Sequence, residues 1–104
     1  MEIAVQNQQI SASVGEPVEI TMRDTSGSTG FLWMVAEIPS TLLLEDIDFL
    51  PPPGTPMPGR PGKRVFTFIA AKPGDGYIRF VQVRPWEPMQ PVSTEIYQVH
   101  VTPQ

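Results

Sequence analysis

The 104-residue sequence contains no cysteine, a single histidine and only seven lysine and arginine residues. Without cysteine it has no disulfide framework, no thiolate zinc site and no nucleophilic thiol, so the fold has to rest on its hydrophobic core. A formal net charge of −4 with no basic cluster argues against binding to nucleic acid or to an anionic membrane surface. His100 has no serine or metal-ligand partner at useful spacing. We therefore expect no catalytic residue, no metal and no cofactor.

Long apolar runs are also missing, and none is long enough to span a bilayer. Residues 1–6 lack the basic start and the apolar stretch of a signal peptide. We expect a soluble chain and leave its cellular compartment open. The length, with 40% apolar and 17% charged residues, predicts one folded domain that covers residues 1–104.

Short stretches of alternating apolar and polar residues recur along the chain, and turn residues separate them. Val18, Ile20 and Met22, for example, alternate with Glu19 and Thr21. The predicted strands are residues 8–14, 18–22, 31–35, 42–50, 65–70, 77–83 and 97–101. Residues 42–50 also fit a short helical turn, but we favour a strand. The pattern is typical of an all-β sandwich.

Three loops of unusual composition are predicted to lie at one end of this sandwich. Successive antiparallel strands alternate in direction, so every second loop is at the same end. With the strands named A to G, these are the B-C loop (24–30), the D-E loop (51–63) and the F-G loop (84–91). The D-E loop has six prolines and three glycines, which exclude a helix or a central strand. Its glycines also disfavour a polyproline ligand for an SH3-type domain.

A short motif lies in or beside each of these loops: Ser28-Thr29-Gly30-Phe31-Leu32-Trp33, Gly59-Arg60-Pro61-Gly62 and Arg84-Pro85-Trp86. Together they resemble the chagasin-type inhibitors of papain-like cysteine proteases, and the resemblance covers nearly the whole chain. The family's B-C loop reads Asn-Pro-Thr-Thr-Gly-(Phe/Tyr)-x-Trp, its D-E loop reads Gly-x-Gly-Gly before a Phe, and its F-G loop reads Arg-Pro-Trp. The matching residues are Thr29, Gly30, Phe31, Trp33, Gly59, Gly62, Phe66, Arg84, Pro85 and Trp86. The departures are Ser26, Gly27, Ser28 and Pro61.

The resemblance implies an immunoglobulin-like antiparallel β-sandwich of seven or eight strands that is not an enzyme. It implies reversible, competitive inhibition of a papain-like, cathepsin L-type cysteine protease by a chain that is monomeric when free. The B-C turn would lie over the catalytic cysteine, where Thr29 offers a hydroxyl, with the D-E loop on the unprimed side and Trp86 on the primed side. The implied protease-binding residues are Ser28, Thr29, Gly30, Phe31, Gly59, Arg60, Gly62, Arg84, Pro85 and Trp86.

Several of these residues have a plainer structural interpretation. Phe31, Trp33 and Phe66 are expected in the core, whereas Trp86, flanked by prolines, is expected to be exposed. Arg84 fits a hydrogen-bond donor that braces the loops as well as it fits a contact with an enzyme carboxylate.

Two further alternatives concern the acidic residues and the function. Glu45, Asp46 and Asp48 are read as a solvated face and not as a calcium site. The alternative function is an immunoglobulin-like adhesion or spacer module without inhibitory activity, which Gly27 and Pro61 at family positions favour.

Overall fold

Seven β-strands and one helical turn make up residues 5–54 and 60–104, the part of the chain that this computed structural model describes. The strands are β1 Val5–Ser13, β2 Pro17–Asp24, β3 Leu32–Glu37, β4 Leu42–Leu50, β5 Gly62–Ala70, β6 Gly74–Val83 and β7 Ser93–Thr102. They correspond to strands A to G, and β4 is a strand as predicted. The helical turn α1, Ser26–Thr29, lies in the B-C loop. Within the described ranges, no helix has the length and hydropathy needed to cross a membrane.

The strands form two sheets, ordered β1-β7-β6-β3 and β2-β5-β4. This confirms the predicted sandwich. Neighbouring strands are antiparallel with one exception, since β1 pairs with β7 in parallel register. The exception follows from the chain path, because β1 and β7 both run away from the end that carries the B-C and F-G loops. At that far end β1 turns through Gly15 into the other sheet, and the amide of Gly15 donates to the carbonyl oxygen of Ala70.

The core lies between the sheets and is built from the inward positions of the alternating strands. Every second residue of β2, beginning with Val18, is buried. Aromatic rings fill the centre, where the ring centroid of Phe80 lies 4.9 Å from that of Phe66 and 5.5 Å from that of Tyr97. Trp33 belongs to the same cluster and is 9% exposed. The inward placement predicted for Trp33 and Phe66 is therefore confirmed.

Strand pairing places the B-C, D-E and F-G loops at one end of the sandwich. The last residue of β2, Asp24, pairs with the first residue of β5, Gly62, and Leu50 at the end of β4 pairs with Lys63. In the other sheet the start of β3 pairs with the end of β6. The convergence predicted from strand direction is confirmed, and the three loops are candidates for a common binding surface.

Candidate functional site

The B-C loop is a helical turn closed by its own hydrogen bonds. The amide of Thr29 donates to the carbonyl oxygen of Thr25 at 2.9 Å, and the amide of Gly30 donates to that of Ser26 at 3.0 Å. Gly30 ends the turn at φ +79°, in the left-handed region that favours glycine. The Thr29 hydroxyl donates to the Thr25 carbonyl oxygen at 2.9 Å and accepts from the amide of Phe31 at 3.1 Å. This hydroxyl, expected to face an enzyme, is engaged in stiffening the turn.

Buried Asp24 anchors the start of the B-C loop to β5. Its carboxylate accepts hydrogen bonds from the amide (2.8 Å) and hydroxyl (2.5 Å) of Ser26 and from Nε (2.8 Å) and Nη2 (2.7 Å) of Arg64. The Asp24 side chain is 2% exposed. Burial raises its pKa, but the hydrogen bonds from Ser26 and Arg64 outweigh that effect and hold the pKa below its usual value.

Neither Asp24 nor Arg64 belongs to a recognisable motif, and we missed both in the sequence. The signal that could have found Asp24 is its parity, because it occupies the last inward position of an alternating strand that includes Met22. A buried carboxylate needs a cationic or hydrogen-bonding partner. Arg64 is the inward residue opposite Met22 on β5, which makes it the natural donor.

Arg84 connects the F-G loop to the B-C loop. Its guanidinium carbon lies 4.4 Å from the ring centroid of Phe31, a cation–π distance, and its Nη1 lies 3.5 Å from Oε1 of Glu87. The amide of Glu87 also donates to the carbonyl oxygen of Arg84 at 2.7 Å. In the free protein, Arg84 therefore braces the two loops, the first of the two roles left open by the sequence.

Phe31 lies outside the core, so its predicted core placement is wrong. β3 begins only at Leu32, and the alternation that turns Trp33 inward does not extend back to Phe31. The ring is partly exposed and packs under Arg84 at the rim of the sandwich. Phe31 consequently belongs to the loop surface, which agrees with its inclusion among the candidate binding residues.

Trp86 is presented to solvent with one edge supported. It is 68% exposed, and its Cη2 atom lies 3.0 Å from the position that a Cβ atom would take on Gly30. Its neighbour Pro85 is also exposed. The predicted exposure of Trp86 is confirmed, whereas its contact with an enzyme stays a prediction.

The D-E loop is described only at its two ends, and Gly59 lies outside the described residues. Arg60 is exposed, and its Nη1 lies 3.7 Å from the Cβ position of Gly54, so its side chain reaches back across the loop. Gly62 is buried, contrary to its expected place in the contact surface. A Cβ atom there would lie 2.6 Å from the carbonyl oxygen of Leu50. Gly62 thus allows the two ends of the D-E loop to approach each other closely at its base.

A groove of about 550 Å³ lies beside the base of the D-E loop. Prolines 51–53, Pro61 and Leu50 line its apolar part. Arg23 and Lys63, which are directly opposed across β2 and β5, supply its cations. The surface beside the base of the D-E loop is therefore apolar and positively charged, although the net charge of the whole chain is negative.

The structure brings Thr29, Gly30, Phe31, Arg84 and Trp86 into one surface, with Pro85 beside it. Ser28 lies in α1, but its side chain is outside the described part. No group of three or more His, Asp or Glu residues in the described ranges could hold a metal ion. The site can bind a partner by shape, aromatic surface and backbone groups. These features define an immunoglobulin-like sandwich in which the B-C and F-G loops form one exposed surface.

Residues 11–101 match the family described as Chagasin family peptidase inhibitor I42. The chain belongs to this family. The family identified from the sequence, the chagasin-type inhibitors of cysteine proteases, is therefore confirmed, as is the expectation that the protein is an inhibitor and not an enzyme. Among curated protein sequences, none matches this one significantly.

Solved structures share the fold at low sequence identity. The cysteine protease inhibitor EhICP2 from Entamoeba histolytica is 23% identical, with a TM-score of 0.72 over 94% of this chain and 97% of that one. Amebosin is 24% identical, with a TM-score of 0.73 over 94% and 96%. PbICP-C, solved in complex with falcipain-2, is 24% identical, with a TM-score of 0.69 over 97% and 92%. These likenesses support the immunoglobulin-like sandwich.

Proposed function

We propose that this protein inhibits papain-like cysteine proteases reversibly and competitively by placing its B-C, D-E and F-G loops in the active-site cleft. The observation that carries the proposal is the junction of two loops, in which Trp86 lies against Gly30 and Arg84 lies over Phe31. This junction makes the B-C and F-G loops one presented edge. The structural relatives include a cysteine protease inhibitor and PbICP-C in complex with falcipain-2, which supports the same class of target.

The B-C turn is suited to block a catalytic thiol without being cut. A protease cleaves extended backbone, whereas Thr25 to Gly30 form a helical turn held by internal hydrogen bonds. Gly30 has no side chain, which lets the edge of the Trp86 ring lie directly against the end of the turn. The turn fills the centre of the cleft. Its peptide bonds are not cleaved, because they have a helical conformation and not the extended one that a protease cleaves.

The F-G loop supplies the largest contact. Trp86 offers a rigid, amphipathic ring that is mostly uncovered, and such residues are frequent hot spots of interfaces. Arg84 and the flanking Pro85 hold the loop in place before binding, which reduces the conformational entropy lost on docking. The D-E loop adds Arg60 and the adjoining apolar groove on the unprimed side. An interface of this kind covers roughly 800 Å² of the inhibitor.

Titration of papain and of a cathepsin L-type enzyme with the purified protein tests the proposal. We expect competitive inhibition that dilution reverses, and mass spectrometry should recover the inhibitor uncut. Trypsin, a serine protease, is the matched control and should keep full activity. If no papain-like enzyme is inhibited at micromolar concentration, the adhesion or spacer function replaces this one.

A further inference from the structure

Strand β4 carries an uncovered apolar surface that begins at the base of the D-E loop, where Leu50 lies, and extends away from the B-C and F-G loops. It is the last strand of the sheet β2-β5-β4, so one of its edges has no neighbouring strand among the described residues. Five of its apolar side chains are 41% to 62% exposed, namely Leu43, Leu44, Ile47, Phe49 and Leu50. By register, Leu44, Ile47 and Phe49 lie on the inner face of β4, and Leu43 and Leu50 lie on its outer face. Exposed apolar side chains that cluster on one face mark interaction sites.

Part of this surface opens into a groove between the two sheets. Leu44 and Ile47 face inward, because their partners in register are the core residues Phe68 and Phe66. The groove has a volume of about 280 Å³ and is lined by Leu44 and Ile47 of β4, by β3 residues that include Trp33, and by Arg64 and Phe66 of β5. The charge of Arg64 is paired with Asp24. β3 is itself the last strand of its sheet, so among residues 5–54 and 60–104 no strand pairs with the outer edge of either β3 or β4 beside the groove.

The outer face of the same edge is acidic. Asp46 and Asp48 lie opposite Thr67 and Val65 on β5, and Glu45 forms the β-bulge between Leu44 and Asp46. None of the ion pairs formed by the described residues involves these three acids. The bulge interrupts the edge at a single residue, and the pairing register with β5 is unbroken from Asp46 to Leu50. In this stretch the amide of Phe49 donates to the Asp48 carboxylate at 2.9 Å.

We propose that the β4 edge binds an extended segment of another protein in which basic and apolar residues alternate. The segment adds a strand to the sheet β2-β5-β4 through main-chain hydrogen bonds. Its apolar side chains enter the groove beside Leu44 and Ile47, and its lysine or arginine side chains lie on the outer face beside Asp46 and Asp48. Side chains of a strand alternate between its two faces. The alternation of basic and apolar residues in the segment therefore matches the acidic outer face and the apolar inner face of β4.

Charge distinguishes this occupant from a second copy of the chain. The acids of β4 all lie within residues 45–48, near the middle of the strand. Antiparallel pairing of two copies about that centre would bring both sets of carboxylates together, and like charges on opposing strands are destabilising. A basic segment meets the same residues with favourable charge. It also leaves the B-C and F-G loops uncovered.

The test uses two synthetic peptides of the length of β4, one alternating lysine with valine and the other alternating glutamate with valine. Amide NMR shifts locate binding, and titration gives the dissociation constants. We expect the lysine peptide to shift the amides of β4 and to bind at least about tenfold more tightly than the glutamate peptide. The double substitution Asp46→Lys and Asp48→Lys should reverse that preference.

Glu19→Lys is the matched control, because Glu19 is exposed on β2, the other edge of the same sheet, and also lies opposite Thr67. It should leave the preference for the lysine peptide unchanged. Thermal melts establish that each variant is folded. The proposal is overturned if neither peptide shifts β4, if both bind equally, or if the double substitution has no more effect than Glu19→Lys. Sedimentation that shows a dimer abolished by Ile47→Lys would assign the edge to a second copy instead.

Discussion

The indole ring of Trp86 lies against Gly30, with Cη2 3.0 Å from the position that a Cβ atom would occupy on this glycine. Gly30 is the residue that ends the helical turn of the B-C loop, so the F-G loop rests on the B-C loop at this point. Trp86 nevertheless stays 68% exposed. The contact with Gly30 thus positions the large ring, while most of its surface is available to a partner. A contact residue held in this way is preorganised for binding.

Replacing Trp86 by alanine should weaken inhibition by at least about tenfold, since a buried aromatic contact with the enzyme is lost. The free energy of unfolding should change by less than about 1 kcal/mol, because the ring is mostly exposed in the free protein. Inhibition constants against papain and urea unfolding measure the two effects. Trp33→Ala is the control, since removal of a core tryptophan costs about 3 to 5 kcal/mol. Equal stability losses in both variants would contradict the assignment of Trp86.

Gly30→Ala should reduce inhibition through two effects of one methyl group. A residue other than glycine is strained at φ +79°, at a cost of about 1 kcal/mol, and its Cβ atom would also press on the Trp86 ring. Gly15→Ala is the matched control, because Gly15 has φ +94° with no atom within 4 Å of its Cβ position. It should lose similar stability and keep full inhibition. If both variants inhibit equally well, the contact between Gly30 and Trp86 has no role in binding.

Thr29→Val should loosen the B-C turn, because valine keeps the shape of threonine but cannot donate to the Thr25 carbonyl oxygen or accept from the Phe31 amide. We expect a loss of about 0.5 to 1.5 kcal/mol in the free energy of unfolding and weaker inhibition. Thr29→Ser retains the hydroxyl and should preserve most of both. The comparison needs only thermal unfolding and inhibition constants, and a serine variant as impaired as valine would argue against the hydrogen bonds.

A double-mutant cycle on Arg84 and Phe31 should reveal a coupling of about 0.5 to 1 kcal/mol in the free energy of unfolding. Arg84→Met keeps the aliphatic stem and removes the cation, while Phe31→Leu removes the aromatic face. Glu87→Gln serves as a control, because an exposed ion pair at 3.5 Å contributes little. Additive effects of the two substitutions would mean that the loops are not joined by this contact.

Acid should destabilise the protein in part through Asp24. The pKa of this carboxyl is lower in the folded state than its usual value of 3.8. Its stabilising contribution is therefore complete above that usual value and is lost as the pH falls through the lower, folded value. Asp24→Asn should reduce the slope of stability against pH in this acidic range, as measured by urea unfolding at several pH values.

The control for Asp24 is Glu37→Gln. The pKa of Glu37 is also lowered, first by a hydrogen bond from Tyr77 and then by one from Arg79, but this carboxylate is exposed. At neutral pH, Asp24→Asn should cost at least about 2 kcal/mol, because it leaves Arg64 without its charged partner. Glu37→Gln should cost far less, and a larger loss from Glu37→Gln would contradict the anchoring role of Asp24.

The sequence by itself determined the sandwich, the inward residues within its regular strands and the convergence of the three loops. Alternating positions such as Val18 and Ile20 specify which face of a strand is buried, since side chains of a strand point to opposite faces in turn. The direction of successive strands then places every second loop at the same end. The family was recognisable because its motifs lie in those loops, at residues such as Gly30 and Trp86.

Only the tertiary structure decided how the loop residues are used. Phe31 has the parity of a core residue, yet it stacks under Arg84 because β3 begins only at Leu32. Gly62 is expected from its motif in the contact loop, yet it is buried against Leu50 at the start of β5. The parity of Asp24 places it inward, but only the pairing of β2 with β5 brings Arg64 to its carboxylate. Periodicity and motifs report neighbours along the chain, whereas these contacts join residues that are distant in sequence and meet only once both sheets have formed.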